Sequence, residues 1–327
     1  MRRRLGYRAG MTERQRFITA LEGGQSPGLV PTFELVFYLT MELVGKVHPT
    51  HRIYGQWDQM SPREKHLQIL DAARSYVEVA RHYGHSAIFI HGVRGMPDAV
   101  IRQAEGIREI SGTDFFLMCH GDSTMSIPDG ESMAALSYRL VDEPEAVKLE
   151  QERSLASYLG FAEAQAGKGL LDGFALCADY CLNTNPFLSP SQFSEFVTPY
   201  LARLIEGYRR MGYYAIKHTD GNIMPILDQL VQARPHALHS IDPQAGVDIA
   251  VVKRIYGKEI CLIGNVNCGL LQTGTEREVE ESVLHALLSG MPGGGYVFST
   301  SNCVYTGMEL ARYDLMMRLW RQHGRYA

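Results

Sequence analysis

The sequence predicts an α/β fold of the (β/α)8 TIM-barrel type, built as a single domain, and three observations lead there. Eight short apolar runs alternate with longer stretches of helical periodicity over about 300 residues, the size and rhythm of eight strand–helix units. No Ser/Gly/Pro-rich linker divides the chain. No G-x-G-x-x-G follows an early run, as a doubly wound nucleotide-binding sheet, the runner-up architecture, would require; "PGGGY" at Pro292 precedes a run instead.

The predicted strands are 29–36 (LVPTFELV), 86–92 (SAIFIHG), 114–122 (DFFLMCHGD), 170–180 (LLDGFALCADY), 213–221 (YYAIKHTDG), 237–243 (ALHSIDP), 260–267 (ICLIGNVN) and 294–302 (GGYVFSTSN). Helices carry their own punctuation. Ser61 with Glu64 forms a capping box ahead of "PREKHLQILDAARSYVEVARHY", and Gly84 stops it. Ser189 and Pro190 open a helix that runs to Gly212, and "GTEREVEESVLHALLSG" supplies another. Residues 1–10, "MRRRLGYRAG", are expected to be a flexible tail, leaving 11–327 as the barrel.

With 45% apolar and 21% charged residues, the 327-residue chain has the composition of a globular protein with a large core. A net charge of -4 gives no electrostatic case for nucleic acid. The stretch "LVPTFELVFYLTMELVG" is interrupted by Glu34 and Glu42, short of the roughly 18 apolar residues a membrane span needs. No signal-peptide pattern opens the chain, so a cytoplasmic location is expected. The six cysteines show no CxxC and no disulfide framework, which fits reduced thiols.

A barrel puts its chemistry at the C-terminal ends of its strands. Those ends carry Glu34, His91, His120, Asp122, Asp179, Tyr180, His218, Asp220, Asp242, Asn265, Asn302 and Cys303. His218 and Asp220 lie two apart on one strand and so share a face, able to grip one ion together; the plainer alternative makes His218 a core histidine and Asp220 a helix N-cap. Cys303, past the last strand, would share the mouth with them. A histidine, a carboxylate and a thiolate suit zinc, which in catalytic sites takes three protein ligands and keeps one position open. Cys177 and Cys181 straddle a strand end and read as buried thiols. Phe33, Phe37, Tyr38, Phe89, Tyr180 and Phe187 could wall a pocket for a flat ligand.

The segments "CADYCLNTNPFLSPSQFSEFVTPY", "IKHTDGN", "SIDPQAGVDIAVVKRIYGKEICLIGNVNCGLLQTGT" and "GGGYVFSTSN" together resemble the uroporphyrinogen decarboxylase superfamily, from about Thr12 to near the C-terminus. The resemblance implies a TIM barrel that is either a heme-pathway decarboxylase or a cobalamin-dependent methyltransferase. Where the decarboxylases carry an arginine motif for a polycarboxylate substrate, this chain reads "PTFELVFYL", acidic and aromatic. The methyltransferases bind zinc through a His-x-Cys motif and a distant Cys. His218 and Cys303 fit the outer two positions, and Asp220 replaces the middle Cys, leaving either Asp220 or Glu34 to complete the set.

That branch implies a demethylase component moving a methyl group from a small O-methyl or related substrate to the cobalt of a partner corrinoid protein. Zinc would act as Lewis acid, and a harder carboxylate ligand would favour an oxygen leaving group. His218, Asp220 and Cys303 are the expected catalytic residues; Glu34, His91, His120, Asp122, Asp179, Tyr180 and Asn265 are the expected substrate-binding ones. The alternatives are a decarboxylase without metal and a non-catalytic protein binding a corrinoid or a metal.

Overall fold

The computed structural model describes residues 11–326. The expected tail at 1–10 lies outside the described residues. Seven parallel strands form one sheet in sequence order: β1 (Ala87–Ile90), β2 (Phe116–His120), β3 (Gly173–Leu176), β4 (Tyr214–Thr219), β5 (Ala237–Ser240), β6 (Cys261–Val266) and β7 (Tyr296–Thr300). Each falls inside one of the predicted runs. Helices join successive strands, which is what keeps all seven parallel and gathers their C-terminal ends on one rim.

The sheet curls. Alternate residues from every strand, among them Phe89, Met118, Ala175, Ile216, Ala237, Ile263 and Val297, meet in one apolar cluster, and a flat sheet could not bring β1 and β7 into shared contact. Phe17 plugs this interior where the strands begin, its ring 4.9 Å from Phe116, on a helix (Glu13–Leu21) opened by a Thr12/Gln15 capping box.

The predicted first strand, 29–36, is the correction. It forms isolated bridges in place of a regular strand. Pro31 has no N–H to give to a ladder, so the segment makes only scattered bonds across the gap between the sheet's edges: Phe298 N–H to Pro31 O at 2.9 Å, Phe33 N–H to Phe298 O at 3.3 Å, and Ser86 N–H to Thr32 O at 2.6 Å. The fold is therefore a seven-stranded curled sheet with an irregular segment along its open edge.

The Ser61/Glu64 capping box and the left-handed Gly84 bracket the helix Pro62–Tyr83 as expected. The helix expected from Pro190 to Gly212 is instead two, Pro190–Phe196 and Thr198–Arg210, because Pro199 lacks the N–H that would bond back one turn. No helix of the described residues is long and apolar enough to cross a membrane.

Candidate metal centre

On β4, Ile216 points into the barrel core, so His218, two residues on, points the same way at the rim. Asp220 follows the strand. Its neighbour Gly221 has φ +82°, and a Cβ there would lie 2.6 Å from the carbonyls of Cys181 and Leu182, so only glycine lets the chain turn this tightly behind the carboxylate. Asp179, past β3, accepts the Asp220 N–H at 3.0 Å. Asp179, His218 and Asp220 each bring a ligand atom within 4.8 Å of the others, and this is the one such group among the described residues.

The group is frustrated electrostatically. Burial lowers His218 to about 4, so its imidazole is neutral. Burial pushes Asp220 up to about 7, with the charges of Asp179 and Asp242 adding to the rise and hydrogen bonds from Ser240 and Asn302 opposing it. His218 Nε2 stands 3.8 Å from Asp220 Oδ1. A neutral nitrogen facing two crowded carboxylates is a donor set that suits a divalent cation such as zinc.

Asp220 is held in place by a strained partner. Ser240 Oγ donates to Asp220 Oδ1 at 2.7 Å, and Asn302 Nδ2 donates to Oδ2. Ser240 and Ile241 have φ of 85° and 50°, left-handed values that cost roughly 1–3 kcal/mol each in residues other than glycine. The strain aims the end of β5 at β4.

The other expected residues divide. Cys303 lies outside the triad. Burial, with Cys268, Glu34 and Asp220 nearby, pushes its thiol up to about 12. Glu34 also lies outside it, because its carboxylate is taken up by Ser299, Thr300 and Tyr313, and burial raises it to about 7. Asp122 accepts Lys217 Nζ at 2.8 Å, Thr124 Oγ1 at 2.6 Å and the Ala178 N–H at 2.9 Å, which leaves little for a substrate. Tyr180 binds Thr124 at 2.5 Å beneath Lys217, and Asn265 donates to Ile241 O at 2.8 Å.

His91 and His120 do sit at the ends of β1 and β2. His91 Nδ1 is buried without a partner. Of the expected aromatic wall, Phe33 and Phe89 belong to the barrel interior and Phe37 packs on Tyr83 and Tyr313. Half-buried Tyr38 remains near the rim, stacked on His51 at 4.9 Å. Asp220 caps no helix; the next turn begins at Met224 with Ile223 as its cap.

Sequence reasoning missed two residues. His239 Nδ1 lies 2.7 Å from His218 Nδ1, whereas Asp242, at the end of β5, receives the Gly221 and Gln244 N–H groups. The signal was present in "IKHT" and "ALHS", which place a histidine at the same register of adjacent strands. Lys217 has no side-chain exposure and is the buried counter-charge of Asp122.

A family model described as Uroporphyrinogen decarboxylase (URO-D) matches residues 134–323. No curated protein matches the chain. Among solved structures, a methyltransferase from Methanosarcina mazei aligns with a TM-score of 0.73 at 15% identity, over 95% of this chain and 99% of that one. A GH5_18 protein from Streptomyces cattleya, in complex with GlcNAc, aligns with a TM-score of 0.51 at 12% identity, over 90% and 79% of the two chains. At these identities the likeness is one of fold.

Proposed function

Because this chain belongs to the uroporphyrinogen decarboxylase family, we propose that it is a methyltransferase, passing a methyl group from a small O-methyl or related substrate to the cobalt of a partner corrinoid protein, with zinc held by Asp179, His218 and Asp220. The observation that carries this reading is the convergence of those three ligand atoms at the strand ends. The fold shared with the Methanosarcina mazei methyltransferase supports it.

Zinc bound there would draw negative charge from the oxygen or sulfur losing its methyl group. The chain's own part is positional. His218 offers a neutral nitrogen, Asp179 and Asp220 offset the ion's charge, and Ser240 and Asn302 fix the Asp220 carboxylate. Tyr38 and the stacked His51, beside the imidazoles of buried His48 and half-buried His91, offer flat surfaces for an aryl group next to a methyl ether.

Decarboxylation of a polycarboxylate is the weaker reading. Glu34, Asp122, Asp179, Asp220 and Asp242 make the rim region acidic, and Lys217 is already bound by Asp122. Such a site repels a substrate bearing many carboxylates.

The test has two arms on the purified full chain. Zinc titration should give one equivalent bound, lost in His218→Ala and Asp179→Ala. Incubation with O-methyl arenes and cob(I)alamin should produce the absorbance of methylcobalamin only in the wild type. Full zinc occupancy in both variants would remove the metal assignment, and methyl transfer unaffected by either would remove the reading altogether.

A further inference from the structure

Glu34 is buried against the end of β7 and is not one of the triad, yet a chain of hydrogen bonds joins it to His218. His218 Nδ1 lies 2.7 Å from His239 Nδ1; His239 Nε2 lies 3.4 Å from Ser299 Oγ; Ser299 Oγ lies 3.3 Å from Glu34 Oε2. Two imidazole nitrogens this close require that one carry a proton and the other not. Which one does is decided elsewhere in the chain.

We propose that Glu34 is a positioning residue that sets the tautomer of His218 through His239 and Ser299, so that Nδ1 carries the proton and Nε2 is bare. The inference rests on the reading of His218 as a metal ligand, since Nε2 is the nitrogen that faces Asp220. The polarity follows from the far end. Glu34 also receives the Thr300 N–H, the Thr300 hydroxyl and the Tyr313 hydroxyl, and Tyr313 is itself bonded to His85 Nε2 at 2.9 Å. A carboxyl group surrounded by donors is an acceptor, so Ser299 donates to it. Ser299 is then free to accept the His239 Nε2–H, which leaves His239 Nδ1 bare to accept from His218 Nδ1–H.

Glu34→Gln reverses the logic with little change of shape. Its amide donates to Ser299, Ser299 turns its hydrogen toward His239 Nε2, His239 donates from Nδ1, and His218 is left with its proton on Nε2, where it blocks a metal ion. The experiment is a long-range proton–nitrogen correlation spectrum of the histidine-labelled, metal-free full chain. It is run at about pH 8 so that Glu34, raised to about 7 by burial, is ionised.

The wild type should show the Nδ1–H form of His218, and Glu34→Gln a substantial Nε2–H population with zinc affinity reduced about 10–100-fold. Tyr313→Phe touches the same carboxylate outside the relay and should leave the tautomer unchanged. If Glu34→Gln does not fold, Ser299→Ala cuts the same path and should erode the Nδ1–H preference. An unchanged tautomer in the folded relay variants overturns the proposal, even if zinc still binds and the metal reading stands. The expected tautomer in a chain that takes up no zinc supports the relay and removes the metal reading instead.

Discussion

Two charged clusters sit side by side at the ends of β2, β3 and β4, and their chemistry is opposite. Lys217 and Asp122 form a closed account: the ammonium reaches Asp122 at 2.8 Å and Ala178 O at 2.7 Å, and the carboxylate collects N–H and O–H donors on both oxygens. Asp179, His218 and Asp220 hold two crowded carboxylates and a neutral imidazole, with no cationic side chain hydrogen-bonded to the triad among the described residues. The first arrangement stabilises a fold, and the second, in the proposed reading, takes its positive charge from a bound cation. Residue types alone do not separate them, since both are acid–base clusters on adjacent strands. What separates them is whether the buried carboxylate has a cation within hydrogen-bond reach, as Asp122 has in Lys217.

The sharpest way to break this contrast is to strip the closed cluster. Lys217→Met leaves Asp122 buried and unpaired and should destabilise the protein by about 3–5 kcal/mol in urea unfolding. A loss under about 1 kcal/mol would put Lys217 on the functional side of the comparison.

Acid probes the neutral buried imidazoles in the same terms. Burial lowers His85 from 6.5 to about 3. A base whose folded pKa lies below its unfolded value takes up its proton on unfolding, so the stability it confers at neutral pH is lost as pH falls from 6.5 toward 3. His85 should account for about 3 kcal/mol of the stability lost by about pH 4, and His85→Phe should reduce the proton uptake on unfolding by nearly one. Thermal unfolding across that range checks the slope; an identical slope in the variant would contradict a neutral His85.

In the open cluster, Ser240→Ala frees the Asp220 carboxylate without touching a proposed ligand. It should weaken zinc binding about 10–100-fold while changing urea stability little. Isothermal titration measures the first effect.

The smallest effect expected is that of Cys303→Ala, with zinc affinity within about threefold of wild type. Comparing it with Asp179→Ala is decisive. Retained zinc in Asp179→Ala and lost zinc in Cys303→Ala would reinstate the His218, Asp220, Cys303 set read from the sequence.

Seven strands and the caps at Ser61 and Ser189 were legible because they depend on local chemistry: runs of apolar residues at strand length, and side-chain oxygens that bond the next turn's N–H groups. The eighth strand was misread because "LVPTFELV" has the right apolarity, while Pro31 withholds a ladder bond. His218 and Asp220 were legible as a pair for the same local reason, a spacing of two on a strand.

The sequence by itself determined the order and direction of the strands and which residues stand at their ends, since periodicity and capping act within a few residues. Only the tertiary structure decided which of those ends meet. Asp179 joins His218 and Asp220, Glu34 is taken up by Thr300 and Tyr313, and His239 faces His218, because curling the sheet sets distances between strands that no spacing along the chain encodes.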